Sequence, residues 1–161
     1  MDKKIIAGIV FGVLVLLGGT VFLATKVSSP AQIEMVQGAM VEVGETAWEW
    51  GDIGISDGKV EKEFEIRNTG SETLKLFNVA TSCMCTTAMF VDDESRIFGM
   101  HTKSGYAKEV PAGESVKVRV VFDPLFHGPD GVGLISRQVT MMTNDSENSQ
   151  LSFMLTATVR K

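Results

Sequence analysis

The chain has 161 residues, 44% hydrophobic and 22% charged, with four prolines and a formal net charge of −5. That length allows one membrane segment and one domain of ordinary size, and the composition is not that of a disordered chain. Residues 1–26 hold three of the 15 basic and one of the 20 acidic residues, so the remainder carries −7. It has no basic stripe to displace counterions, which argues against nucleic acid or anionic lipid as a partner.

Ile5 to Thr25 is a run of 21 residues without a charged side chain. At about 1.5 Å per residue it spans roughly 31 Å as a helix, enough for a bilayer core. The run is longer than the apolar part of a secretory signal, and its only weak cleavage candidate lies near Ala24. An uncleaved single-pass anchor is therefore expected over residues 1–26, and Lys3-Lys4 favour a cytoplasmic N-terminus. The domain would then face the periplasm or the cell exterior. Gly8 and Gly12 have the spacing that lets two membrane helices approach, so a helix-mediated dimer is a weighed alternative to simple tolerance of glycine.

Residues 27–44 read as a polar tether, with Ser28-Ser29-Pro30, leading into a first strand region. Residues 45–161 then show a period of two. Val60, Phe64 and Ile66 alternate with glutamates and Arg67; Leu74, Leu76 and Asn78 form a second run. Val116, Val118, Val120 and Phe122 share one face, as do Leu151, Phe153, Leu155, Ala157 and Val159. This is the mark of half-buried antiparallel strands. Turn chemistry separates them at Asn68-Thr69-Gly70, Pro111-Ala112-Gly113 and Asn144-Asp145-Ser146. About seven strands predict an all-β, immunoglobulin-like two-sheet sandwich after one transmembrane helix, with a small barrel not separable by periodicity. Trp48 and Trp50 would share a strand face and pack between sheets.

The only cysteines stand one residue apart in Ser82-Cys83-Met84-Cys85-Thr86. In an extended strand both would point to one face with α-carbons about 6.6–7 Å apart, at or past the limit for a disulfide. A disulfide would need a turn and would be strained. Two thiolates sharing a soft metal need less distortion, with His101, His127 and Met100 as further candidate ligands. Cu(I) suits a sulfur-rich extracytoplasmic site better than Zn²⁺. The competing readings are a redox dithiol, which lacks a following helix start to lower a thiol pKa, and a structural pair that packs at a strand end or forms a local disulfide in a domain that only binds a partner.

The histidines depend on topology. If 86–91 is a strand, counting reversals brings the 124–134 loop with His127 to the cysteine end and sends the 92–110 loop to the other. If it is not, His101 is the nearer one. The Asp123–Gly133 loop lacks the spaced oxygen ligands of a calcium loop, and its glycines do not form a phosphate cradle.

The landmarks Asn68-Thr69-Gly70, Ser82-Cys83-Met84-Cys85-Thr86, Pro111-Ala112-Gly113-Glu114-Ser115, Phe122-Asp123 and Thr143-Asn144-Asp145 come in an order that resembles the bacterial domain of unknown function 1573 family. The resemblance covers roughly residues 45–160. It implies an extracytoplasmic immunoglobulin-like sandwich, related in fold to ASH and major sperm protein modules, without known enzymatic activity. The family's usual residue between the cysteines is glycine, here Met84, and the 92–110 connection is longer than usual. The sequence contains no nucleophile elbow, metalloprotease helix or paired catalytic carboxylates, so an enzyme is not expected. The reading that results is a membrane-anchored domain binding Cu(I) at Cys83 and Cys85. Its rival is a structural or adhesive module that binds an envelope protein through an open sheet edge.

Overall fold

The computed structural model describes residues 33–100 and 105–161. The expected membrane span at residues 5–25, its Gly8 and Gly12, the start of the tether and His101 lie outside the described residues. Among those described, no helix is long and apolar enough to cross a membrane.

Ten strands form two five-stranded sheets: β1 (Val41–Val43), β2 (Ala47–Gly54), β3 (Val60–Asn68), β4 (Leu74–Thr81), β5 (Thr86–Phe90), β6 (Asp93–Phe98), β7 (Ala107–Val110), β8 (Ser115–Phe122), β9 (Gly133–Thr143) and β10 (Gln150–Arg160). One sheet has the order β1-β3-β8-β5-β6 and the other β2-β10-β9-β4-β7. All pairs are antiparallel except β2 on β10. The four alternating runs become β3, β4, β8 and β10, whose apolar positions face inward. Phe64, Ile66, Leu74, Leu76, Phe90, Val118, Val120, Val139, Met141, Phe153 and Leu155 fill the space between the sheets.

The expected count of seven was short by three for a physical reason. Within the expected 92–110 loop, residues 93–98 and 107–110 form β6 and β7, edge strands too charged or too short to show alternation. The N-terminal strand region also splits, β1 pairing with β3 and β2 crossing to β10.

Asn78 does not continue the inward face of β4. It is exposed, at φ 51°, the one non-glycine with positive φ among the described residues, and the ladder to β9 shifts register between Phe77 and Ala80. Such a bulge changes which residues face inward, and asparagine tolerates this conformation better than most side chains. The inward set changes phase from Leu74 and Leu76 to Val79 and Thr81. Thr81 is thereby turned inward immediately before the cysteines.

Of the two tryptophans expected to pack between the sheets, Trp50 does so, whereas Trp48 is exposed at the margin of β2. Trp50 stacks on Phe122 at 6.0 Å and donates its indole N–H to the Glu61 carbonyl, while Lys62 sits over the Trp48 ring.

The polar landmarks at the opposite end serve the fold. Asn68 is buried and donates to the carbonyls of Glu72 and Val110 while accepting from the Gly70 amide. Asn144 accepts from the Lys75 amide and donates to the Thr73 carbonyl. Buried loop backbone must find partners, and these side chains supply them.

Candidate functional site at the cysteine turn

Two crossings between the sheets meet at one end, residues 82–85 from β4 to β5 and 123–132 from β8 to β9, and the end of β6 comes to the same place. The first is a tight turn rather than extended chain. The Thr86 amide donates to the Cys83 carbonyl at 3.1 Å, and the Thr81 hydroxyl donates toward the Cys83 and Thr86 carbonyls. Ser82 is locked to β9, its amide donating to the Gln138 carbonyl and its hydroxyl accepting from the Gln138 amide. Residue 84 does not have a positive φ, so methionine fits between the cysteines without backbone strain.

The turn brings the Cys83 and Cys85 α-carbons to 5.3 Å, and the two sulfurs are joined in a disulfide. This corrects the expectation that both cysteines project from an extended strand as thiolates for Cu(I) or Zn²⁺. Their sulfurs are bonded to each other, so neither is a thiolate ligand. Cys85 is 3% exposed and packs with Ile55, Phe122, Ile135, Ala157 and Val159 in a second apolar cluster, and Cys83 lies half-buried at its margin.

β5 runs as a strand, and the 123–132 loop does come to the cysteine end. His127 Nε2 lies 3.4 Å from Cys83 Sγ, and the three candidate ligand atoms of Cys83, Cys85 and His127 lie within 4.8 Å of one another. The loop is fastened by the Asp123 amide on the Cys85 carbonyl and by the Asp123 carboxylate accepting from the Leu125 amide. Gly128, at φ 80°, turns the chain directly after His127. Met100 also returns to this end, because β6 doubles back along β5 and the Gly99 carbonyl accepts from the Thr81 amide. Met100 is exposed.

Arg137 was not singled out in the sequence. On β9 it stands in phase with Ile135, Val139 and Met141, a core-facing position. Its Nε donates to Cys85 Sγ at 3.0 Å, its Nη1 donates to the Ser136 carbonyl, and the guanidinium lies over the Phe122 ring. No carboxylate pairs with it among the described residues, and burial lowers its pKa. The readable signal was an arginine in register with an apolar strand face.

Large apolar side chains are exposed around this site: Met84 at 56%, Leu125 at 51% and Phe126 at 48%. Phe126 meets the His127 ring edge to face. By contrast, in the groove lined by Glu42, Glu45, Glu63 and Glu65, Glu45 pairs with Lys62, and Glu63 pairs with Lys117 and Arg119.

Among curated proteins, none matches the chain. Solved structures share the architecture. A protein of unknown function from Porphyromonas gingivalis W83 superposes with a TM-score of 0.59 at 22% identity over 80% of this chain; this chain covers only 50% of that one. The ASH/PapD-like domain 7 of human CEP192 superposes with a TM-score of 0.50 at 15% identity, covering 84% of this chain and 96% of that domain. These likenesses are of fold. Residues 41–96, which include the cysteine turn but neither His127 nor Arg137, match the family described as protein of unknown function DUF1573, the family that the sequence landmarks resemble.

Proposed function

We propose that the chain is a membrane-anchored, extracytoplasmic protein-binding module whose contact surface is the cysteine end of the sandwich. The observation that carries this reading is the cluster of exposed Met84, Leu125 and Phe126 on two turns that touch through His127 and Cys83. Exposed apolar groups gathered on a loop surface mark contact sites. The disulfide supports an oxidising compartment, and the uncharged run at 5–25 supports the anchor.

Binding by strand addition, the route first expected for such a module, is disfavoured by all four sheet edges. β1 has three residues and β7 has four, with Lys108 and Glu109. β6 presents Asp93, Glu94 and Arg96. β2 carries a register shift against β10 and Gly51 at φ 72°. Short, charged or bulged edges resist pairing with another strand.

The test is a photo-crosslinking amino acid placed at Phe126 or, as control, at Ile97 on the β6 edge, in the full chain expressed in its own cells. The expected result is a discrete adduct from position 126 that disappears with Met84→Asp and Leu125→Asp. Adducts from position 97 alone, or none from 126, would refute this surface.

A further inference from the structure

We propose that the Cys83–Cys85 disulfide is a thiol–disulfide exchange site, with Cys83 the sulfur attacked and Cys85 the sulfur that leaves. This goes beyond the docking reading and does not depend on it. Three observations carry it: the unequal exposure of the two sulfurs, the guanidinium on the buried one, and a turn held by bonds other than S–S.

An attacking thiolate must reach a sulfur along the S–S axis. Cys85 is enclosed by its apolar cluster, whereas Cys83 lies at the margin beside the exposed His127. Cleavage leaves negative charge on Cys85 Sγ. Arg137 Nε–H already points at that atom from 3.0 Å, and the Thr86 hydroxyl lies 3.7 Å away. In the oxidised state the guanidinium is half-buried against a weak sulfur acceptor, with no carboxylate partner among the described residues. In the reduced state it gains a thiolate. The arrangement therefore favours the reduced form, the role that a helix N-terminus plays in other dithiols. It also disfavours a metal at the opened pair, because a fixed cation already occupies Cys85 Sγ.

The exchange balances with a dithiol as reductant. One substrate sulfur, its proton passing to His127 Nε2, attacks Cys83 Sγ. A mixed disulfide forms, the Sγ–Sγ bond breaks, and Cys85 departs as a thiolate on Arg137. The second substrate thiol, deprotonated to solvent, then attacks its own sulfur in the mixed disulfide. Cys83 leaves and takes the proton from His127. Two electrons pass to the protein, and the substrate departs as a disulfide. The turn outlasts the opened bond, being held by Thr81, by Ser82 on Gln138, and by the Asp123 amide on the Cys85 carbonyl.

The experiment is reduction of the full oxidised chain in mild detergent by dithiothreitol, quenched with iodoacetamide and read by mass spectrometry, with circular dichroism followed in parallel. The native chain is expected to reduce without losing its β signal. Arg137→Gln is expected to reduce about tenfold more slowly, the loss of one hydrogen bond to a charged group. His127→Ala, a change on an exposed loop, keeps the fold and is expected to slow reduction several-fold. With oxidised glutathione, Cys83 in Cys85→Ser should form a mixed disulfide, whereas Cys85 in Cys83→Ser should stay unmodified. Equal rates in native chain and both variants, reduction only upon unfolding, or modification of Cys85 in preference to Cys83 would overturn the proposal.

Discussion

Reducing the disulfide changes one bond and no side chain, which makes it the cleanest perturbation of this domain. The bond closes a loop of only three residues, Cys83 to Cys85. The chain-entropy relation then assigns it about 1.6 kcal/mol, against about 4.7 for a loop of a hundred residues. For a domain of this size that corresponds to a fall in Tm of roughly 6 °C. Any gain from Arg137 facing a free sulfur makes the fall smaller. The assay is thermal unfolding of oxidised and reduced full chain at equal concentration, followed by circular dichroism. A loss above about 15 °C, or disappearance of the cooperative transition, would refute the reasoning. It would mean that the hydrogen bonds from Thr81, Ser82, Thr86 and Asp123 do not hold the turn, and that the disulfide is a staple.

The opposite end of the sandwich should be far less forgiving. Asn68→Ala strands the Glu72 and Val110 carbonyls and the Gly70 amide, and is expected to cost roughly 3–6 kcal/mol in urea unfolding. Gly70→Ala drives a Cβ into the backbone at Gly38 and Met40, neither of which can swing aside, for about 2–3 kcal/mol in the same assay. Asp145 should make stability acid-sensitive. Burial would raise its pKa, but the amides of Val41, Glu147 and Asn148 and the Asn148 side chain together hold it below the usual carboxylate value. A depressed folded-state pKa contributes stability that is present above the unfolded value near 4 and is lost as pH falls through the folded one. The urea midpoint should therefore drop with acid below about pH 4, and more shallowly in Asp145→Asn; equal slopes would count against this role.

The alternating runs at 60–66, 74–76, 116–122 and 151–159 were enough to predict two sheets, because inward residues of a half-buried strand must be apolar whatever their partner. The turn landmarks were legible too, since buried loop backbone restricts which side chains can serve it. The edge strands β6 and β7 left no such trace: a strand with solvent on one side and charges along it has no period to read. The site divides in the same way. Its cysteines stood out by their type and spacing, but their chemistry depended on a turn that linear spacing does not encode. A bulge at Asn78 turns Thr81 inward, Thr81 helps hold the turn, and the turn joins two sulfurs that an extended strand would keep apart. His127 lies 44 residues from Cys83, and Arg137 lies 52 from Cys85. Only the pairing of strands across two sheets sets an imidazole beside one sulfur and, on the other, a guanidinium with no carboxylate partner among the described residues.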